Sequence, residues 1–189
     1  PSTWKVPMPQ TSLDVLDGKN TIETDAMDAV LRTAPLTTYP LTDSGGTEKI
    51  KYALSGEYLN QDGIVINSNF KRYSLRANVD AQLSKRLSVK LNLNPSYTDA
   101  HVVSASGTGT GPAESVIGMA AAANPFYPLY DKNGNYFVYT GQDASADLLN
   151  PVALAKEIQN RRKGMRLLGN VSAKYDITDD LDINIMLGG

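Results

Sequence analysis

The sequence has no cysteine among its 189 residues. That excludes disulfide staples and thiolate chemistry, and it leaves the redox compartment open. Its one histidine, His101, cannot build a histidine-rich metal cage and has no base or nucleophile partner at a readable spacing. Neither sign of charge dominates: 18 Lys and Arg against 20 Asp and Glu give a net charge of -2, so no electrostatic footprint points to nucleic acid. No run approaches the ~18 apolar residues of a membrane-spanning helix; the most apolar segment, residues 115–126 (SVIGMAAAANPF), is too short. No basic segment followed by an apolar run opens the chain, as a signal peptide would. Motif chemistry is equally sparse. The glycine-rich Ser106–Gly111 lacks the terminal Gly-Lys-Ser/Thr of a phosphate loop. Asp131, Asn133 and Asn135 hint at a calcium loop but lack its later acidic ligand, so Asn133-Gly134 reads as a β-turn. No catalytic set, metal site or cofactor site is expected.

What is present is alternation. Residues 1–20, with Pro1, Pro7 and Pro9 and no clean period, read as extended coil. ETDAMDAVLRTAP reads as a short helix, with Asp25 near its start and Pro35 stopping it. From Leu36 the period is two. LTTYPLTD, the turn Ser44–Gly46 and KIKYALSGEYL form a hairpin, with Pro40 suggesting an edge or a bulge. RYSLRANVDAQL, LSVKLNLNPSYTDA, MRLLGNVSAKYDI and LDINIML continue the pattern. Residues 102–161 interrupt it, with helix candidates at 114–123 and NPVALAKEIQNRR flanking an aromatic stretch, NPFYPLYDKNGNYFVY. The connections near 44–46, 84–86 and 178–180 are short, and those at 61–69 and 102–161 are longer. In an antiparallel meander this places all the short turns at one end, the sorting of loops found in transmembrane β-barrels.

Strand parity separates two faces. Ile50, Tyr52, Leu54, Tyr58, Tyr73, Leu75, Val79, Leu87, Leu91, Val171, Ile183 and Ile185 share one. Lys49, Lys51, Glu57, Arg72, Arg76, Asp80, Lys90, Arg166 and Lys174 lie on the other, where Leu168 and Met186 are exceptions. A soluble sheet with one face on a core predicts the same alternation. Two features favour a membrane: strands of roughly 11–15 residues, against a usual ~5–6, and tyrosines gathered toward the ends of the apolar face. So many charged groups suit the wet wall of a wide barrel rather than a narrow closed one, and the chain reads as a piece of something larger.

Several separated blocks then carry a resemblance. Ser44–Lys49 (SGGTEK), Tyr58–Gly63 (YLNQDG), Phe70–Tyr73 (FKRY) and Arg76–Asn78 (RAN) occur in the order seen in the early barrel of SusC-type TonB-dependent transporters of Bacteroidetes. Upstream, TDAMDAVLRTAP resembles the family's plug-to-barrel segment, with Ala26 where a tryptophan is expected. Downstream, ANPFYPLYDKNGNYF and NPVALAKE resemble a long extracellular loop. The resemblance covers about residues 22–187. It implies an all-β fold, an antiparallel meander forming part of a transmembrane barrel of about 22 strands. Residues 1–35 would be a plug-to-barrel or preceding segment, and 36–189 the N-terminal part of the barrel, with a long outward loop at about 102–161 holding short helices. The implied function is outer-membrane import of nutrients such as oligosaccharides or peptides. The implied partners are the rest of the transporter, a SusD-type surface lipoprotein, the TonB complex through a region outside this chain, and outer-membrane lipid. Within the loop, Phe126, Tyr127, Tyr130, Tyr136, Phe137 and Tyr139 are the candidate ligand or partner contacts, since rings stack on sugar faces; packing of the loop on itself is the competing role. The Lys49–Lys174 set above would line the lumen. A passive porin segment and a soluble secreted all-β binding module remain the alternatives.

Overall fold

The computed structural model describes residues 10–19, 21–103, 115–139 and 149–189. Ser106–Gly111, the stretch before Gln10 and the start of the 114–123 helix candidate lie outside the described residues. The chain divides into two compact units.

One unit is a sheet built from Pro35–Asp62, Asn69–His101 and Arg161–Gly189. Its strands are β1 (Leu36–Gly46), β2 (Ile50–Asp62), β3 (Asn69–Gln82), β4 (Leu87–His101), β5 (Arg161–Asp176) and β6 (Asp182–Gly188). Each pairs antiparallel with its sequence neighbours, in the order β1-β2-β3-β4-β5-β6. The sheet is open. This corrects the expected fold: the described residues form an open six-stranded antiparallel sheet with β1 and β6 at its edges, not a large barrel. Closure requires the first and last strands to pair, and about eight strands are needed before a barrel interior has room even for packed side chains. Here six strands carry long charged groups on one face.

Local chemistry accounts for the strand ends. Gly45 and Gly46, expected to make the first turn, end β1 instead. A Cβ at Gly45 would lie 2.9 Å from the Tyr52 Oη, and one at Gly46 would collide with the Ile50 carbonyl oxygen. The turn itself falls at Thr47, whose Oγ1 accepts hydrogen bonds from the Lys49 and Ile50 amides. Pro40 sits in β1, where the sheet has an edge and a missing N–H costs least. β5 is longer than its alternating core suggested, starting at Arg161.

The other unit comprises Pro1–Ala34, Gly63–Ser68 and Val102–Asn160. It contains α1 (Gln10–Leu16), α2 (Ala26–Val30), α3 (Val116–Ala122) and α4 (Pro151–Glu157). Helix α1 replaces the extended coil expected over part of 1–20; the three prolines all precede it, where a missing N–H is tolerated. Asp25, Ser115 and Asn150 cap the other three, each accepting a hydrogen bond from an amide in the first turn. Ala26, Val30, Val65, Val116, Met119, Val152 and Ala155 form the buried core, contributed by three separated parts of the chain. Arg32 secures the 63–68 segment by donating to the Gly63 carbonyl (3.0 Å) and the Ser68 carbonyl (2.7 Å). Asn67, in the left-handed region at φ 63°, donates to the Ala155 carbonyl at the end of α4 (3.1 Å), satisfying a group that a helix terminus leaves open.

Candidate functional site

The sheet's two faces differ sharply. Cross-strand partners lie on the same face, so the register assembles rows. Tyr39, Tyr58, Tyr73 and Tyr97 form one row across β1–β4. Their rings follow one another at centroid distances of 6.2, 4.8 and 6.2 Å. Tyr58 and Tyr73 were legible from parity; Tyr39 joins them only through the β1–β2 register. Below this row lie Leu54, Ala77 and Leu93, then Tyr52, Val79, Leu91, Val171 and Leu187, then Ile50, Ala81, Val89, Ala173 and Ile185. These side chains are not a buried core. Leu41 is 76% exposed, Ile185 59% and Leu187 67%, and the residues that are buried belong to the helical unit.

The opposite face is polar. Of the nine wall candidates, Lys49 sits in the β1–β2 turn, and the other eight lie on β2–β5. Lys51, Asp80 and Lys90 stand side by side, a cation on each side of an anion. With Lys49 they border a concavity of about 270 Å³. Arg72 and Glu57 form an ion pair at 2.5 Å, both partly exposed. Together with Arg76, Ser55 and Ser96 they line a larger hollow of about 450 Å³. Arg166 is in register with Ser96. Lys174 pairs with Asp176 at 3.0 Å. Parity did not single out the asparagine row: Asn78, Asn92 and Asn170 are in register, and the Asn92 amide donates to the Asn170 Oδ1 at 2.7 Å. A hydrophilic wall of mixed charge can be hydrated and can hydrogen-bond a polar solute.

The six aromatic candidates divide into groups. Tyr127, Phe137 and Tyr139 form a three-ring cluster with centroids 5.5–5.7 Å apart, and Tyr127 and Tyr139 are buried. Burial raises the Tyr139 hydroxyl above its usual range. Tyr130 and Tyr136 face each other across a small hairpin at 5.6 Å, with Tyr130 41% exposed and within 3.4 Å of the Lys156 Nζ. Phe126 is partly buried, its amide bonded to the Asn124 Oδ1. Between Tyr130 and Tyr136 the chain reverses at Gly134, φ 84°. The Asp131 carboxylate accepts from the Asn135 amide and side chain and from the Asn133 amide. The Asn135 bonds, first of all, hold that carboxyl below the usual carboxylate range. The turn, not a calcium loop, is what these residues build, and among the described residues no group of three or more acidic, histidine or cysteine side chains could hold a metal.

A residue at the start of the NPVALAKE helix candidate organises this region. Asn150, only 6% exposed, accepts from the Val152 and Ala153 amides and donates to the Leu129 carbonyl (2.7 Å) and the Phe137 carbonyl (3.2 Å). It ties helix α4 to both strands of the aromatic hairpin.

No helix among the described residues is long and apolar enough to cross a membrane, which leaves open a crossing by strands. No family model matches the chain. Similarity to individual proteins is nonetheless consistent: at the level of the family, the chain matches TonB-dependent, SusC-like receptors. It is 35% identical over 167 residues to TonB-dependent receptor P3 of Formosa agariphila, covering 87% of this chain and 16% of that protein. It is 26% identical over 191 residues to TonB-dependent receptor SusC of Bacteroides thetaiotaomicron, covering 89% of this chain and 18% of that protein. The chain thus spans under a fifth of the length of these curated relatives. Among solved structures, the RagAB peptide transporter matches with a TM-score of 0.65 and 24% identity, over 94% of this chain and 20% of that one. The open-open state of the RagAB peptide importer matches with a TM-score of 0.64 and 21% identity, over 98% of this chain and 22% of that one. These two likenesses concern the fold.

Proposed function

We propose that this chain is a segment of a TonB-dependent importer of the bacterial outer membrane, taking up nutrients such as oligopeptides or oligosaccharides. The observation that carries the proposal is the sheet's unpacked apolar face, bordered by a tyrosine row and backed by a charged face. An exposed apolar surface of this extent marks a contact with lipid or protein, and tyrosine suits the depth where an apolar ring and a polar hydroxyl both find their solvent. The dimensions agree. From Leu87 to Tyr97 the apolar stripe of β4 runs ten residue steps, about 34 Å at ~3.4 Å each. A tilt of about 45° reduces that to about 24 Å, near the height of an apolar membrane band.

On this proposal the wall residues, from Lys51 and Asp80 to Arg72 and Arg76, face the aqueous path of the solute. Tyr127, Phe137 and Tyr139 hold the hairpin's shape, while Tyr130, Tyr136 and Phe126 are the rings nearest to hand for a ligand or a SusD-type lipoprotein. The RagAB peptide importer among the structural neighbours favours peptides as cargo. TonB would act through a region outside this chain. A test of orientation is to place single tryptophans at Val79 and at Asn78 in the full-length protein and reconstitute it with brominated lipid. Quenching at position 79 and not at 78 is expected; equal quenching at both would refute the assignment of faces. Uptake of a labelled oligopeptide should require the proton gradient, and uptake unaffected by an uncoupler would refute the energised importer.

A further inference from the structure

Above the tyrosine row, the same face changes character. Two residues beyond Tyr73, Tyr97 and Met165, the register brings Lys71, Asp99 and Lys163 side by side across β3, β4 and β5. Two residues further, Arg161 stands opposite His101 and reaches back to clasp Asp99 with two bonds, at 2.8 and 2.5 Å. Arg161, Lys163 and Lys71 all lie close enough to Asp99 to act on it electrostatically. Asp99 is one carboxylate among three cations, and both its oxygens are taken by Arg161. Lys71 and Lys163 have no ion-pair partner of their own among the described residues. The other acid on this face near this end, Asp62, accepts from the Asn69 amide at 3.0 Å. The patch therefore holds three cations against two carboxylates, a net positive charge, with the two lysine ammonium groups outside any ion pair among the described residues, roughly 7 Å beyond the rings at ~3.4 Å per residue.

Such a pair would be out of place on a face meant only for hydrocarbon. Lysine is costly at mid-bilayer but nearly free at the interface, where its stem lies along apolar surface and its ammonium reaches the headgroups. We propose that Lys71 and Lys163, positioned around the Arg161–Asp99 clasp, bind the phosphate of an anionic lipid headgroup at the end of the sheet marked by Asp62, Asn69, His101 and Arg161. The inference rests on the lipid-facing assignment of the apolar side made above. It adds a selectivity for lipid charge that an apolar band alone would not have.

The test uses the full-length protein in nanodiscs of phosphatidylcholine with a minority of phosphatidylglycerol, reading retained lipid by native mass spectrometry. Wild type should retain phosphatidylglycerol preferentially, and the K71Q/K163Q variant should lose about 30-fold of that preference at low salt, from the contribution of two lysines near an anionic surface. The K71R/K163R variant, which keeps the charge, should restore it. Millimolar inorganic phosphate should not displace the lipid; displacement would overturn the headgroup proposal in favour of a free-phosphate site. Insertion with no preference for the anionic lipid, or equal preference in wild type and K71Q/K163Q, would overturn the proposal while leaving the lipid-facing assignment standing. Failure of the wild-type protein to insert into any bilayer would sink both.

Discussion

Replacing Asn150 by alanine should loosen the helical unit by about 3 kcal/mol. The side chain is 6% exposed and makes four hydrogen bonds. Two of them cap α4, and losing an asparagine cap costs about 1 kcal/mol. The other two satisfy carbonyls of the aromatic hairpin. The Leu129 carbonyl keeps a second partner, the Phe137 amide at 3.0 Å, so its loss is small, about 0.5 kcal/mol. The Phe137 carbonyl has no such alternative among the bonds described, and leaving a partly buried acceptor unmatched costs about 1–2 kcal/mol. At about 1.4 kcal/mol per factor of ten, the sum corresponds to about a 100-fold fall in hydrogen-exchange protection. The amides to follow are those of Leu154, bonded to the Asn150 carbonyl, and of Phe137. Serine at position 150 keeps the cap and loses the two donations, so it should fall between wild type and alanine. Protection unchanged within about threefold in N150A would show that the four bonds do not hold the unit together, and the account of Asn150 would be wrong.

Other outcomes follow from the same geometry. A lysine at Leu54, on the apolar face, should reduce assembly of the full-length protein in the outer membrane, corresponding to about 2–4 kcal/mol if the position is near mid-bilayer. Lysine at Asn78, on the polar face, should be tolerated; heat-modifiable mobility on gels separates the two, and equal defects would contradict the assignment of faces. The Asp131 turn should depend on pH. Because hydrogen bonds depress its folded pKa, its contribution is present above the usual carboxylate value near 4 and is lost as pH falls through the depressed one. Amide protection at Asn133 and Asn135 should drop over that range, and D131N should flatten the dependence. G134A should destabilise the hairpin by about 1 kcal/mol through its φ of 84° alone, since nothing lies within 4 Å of the added Cβ. A double-mutant cycle on Glu57 and Arg72, both partly exposed, should give a coupling of at most about 1 kcal/mol.

The strands and their two faces were readable because side-chain alternation is a local property: once Leu54 points one way, Ala53 and Ser55 must point the other. The apolar stripe, the charged set from Lys49 to Lys174 and the reversal at Asn133-Gly134 follow from that period and from turn chemistry. Helix α1 was missed because the prolines lie just before it and the seven residues of Gln10–Leu16 are too few to display a period.

What the sequence by itself determined is the composition of each face of the sheet, since neighbouring residues decide it. Only tertiary structure decided which residues meet across strands and whether the sheet closes. Register between strands far apart in sequence aligns Tyr39 with Tyr58, sets Lys71 and Lys163 around Asp99, and joins Asn92 to Asn170 across 78 residues. Closure into a large barrel was expected; among the described residues an open sheet of six strands was found, with β1 and β6 at its edges. Asn150 belongs to the same category: its cap is local, but the carbonyls at Leu129 and Phe137 come within its reach only when the helical unit folds around it.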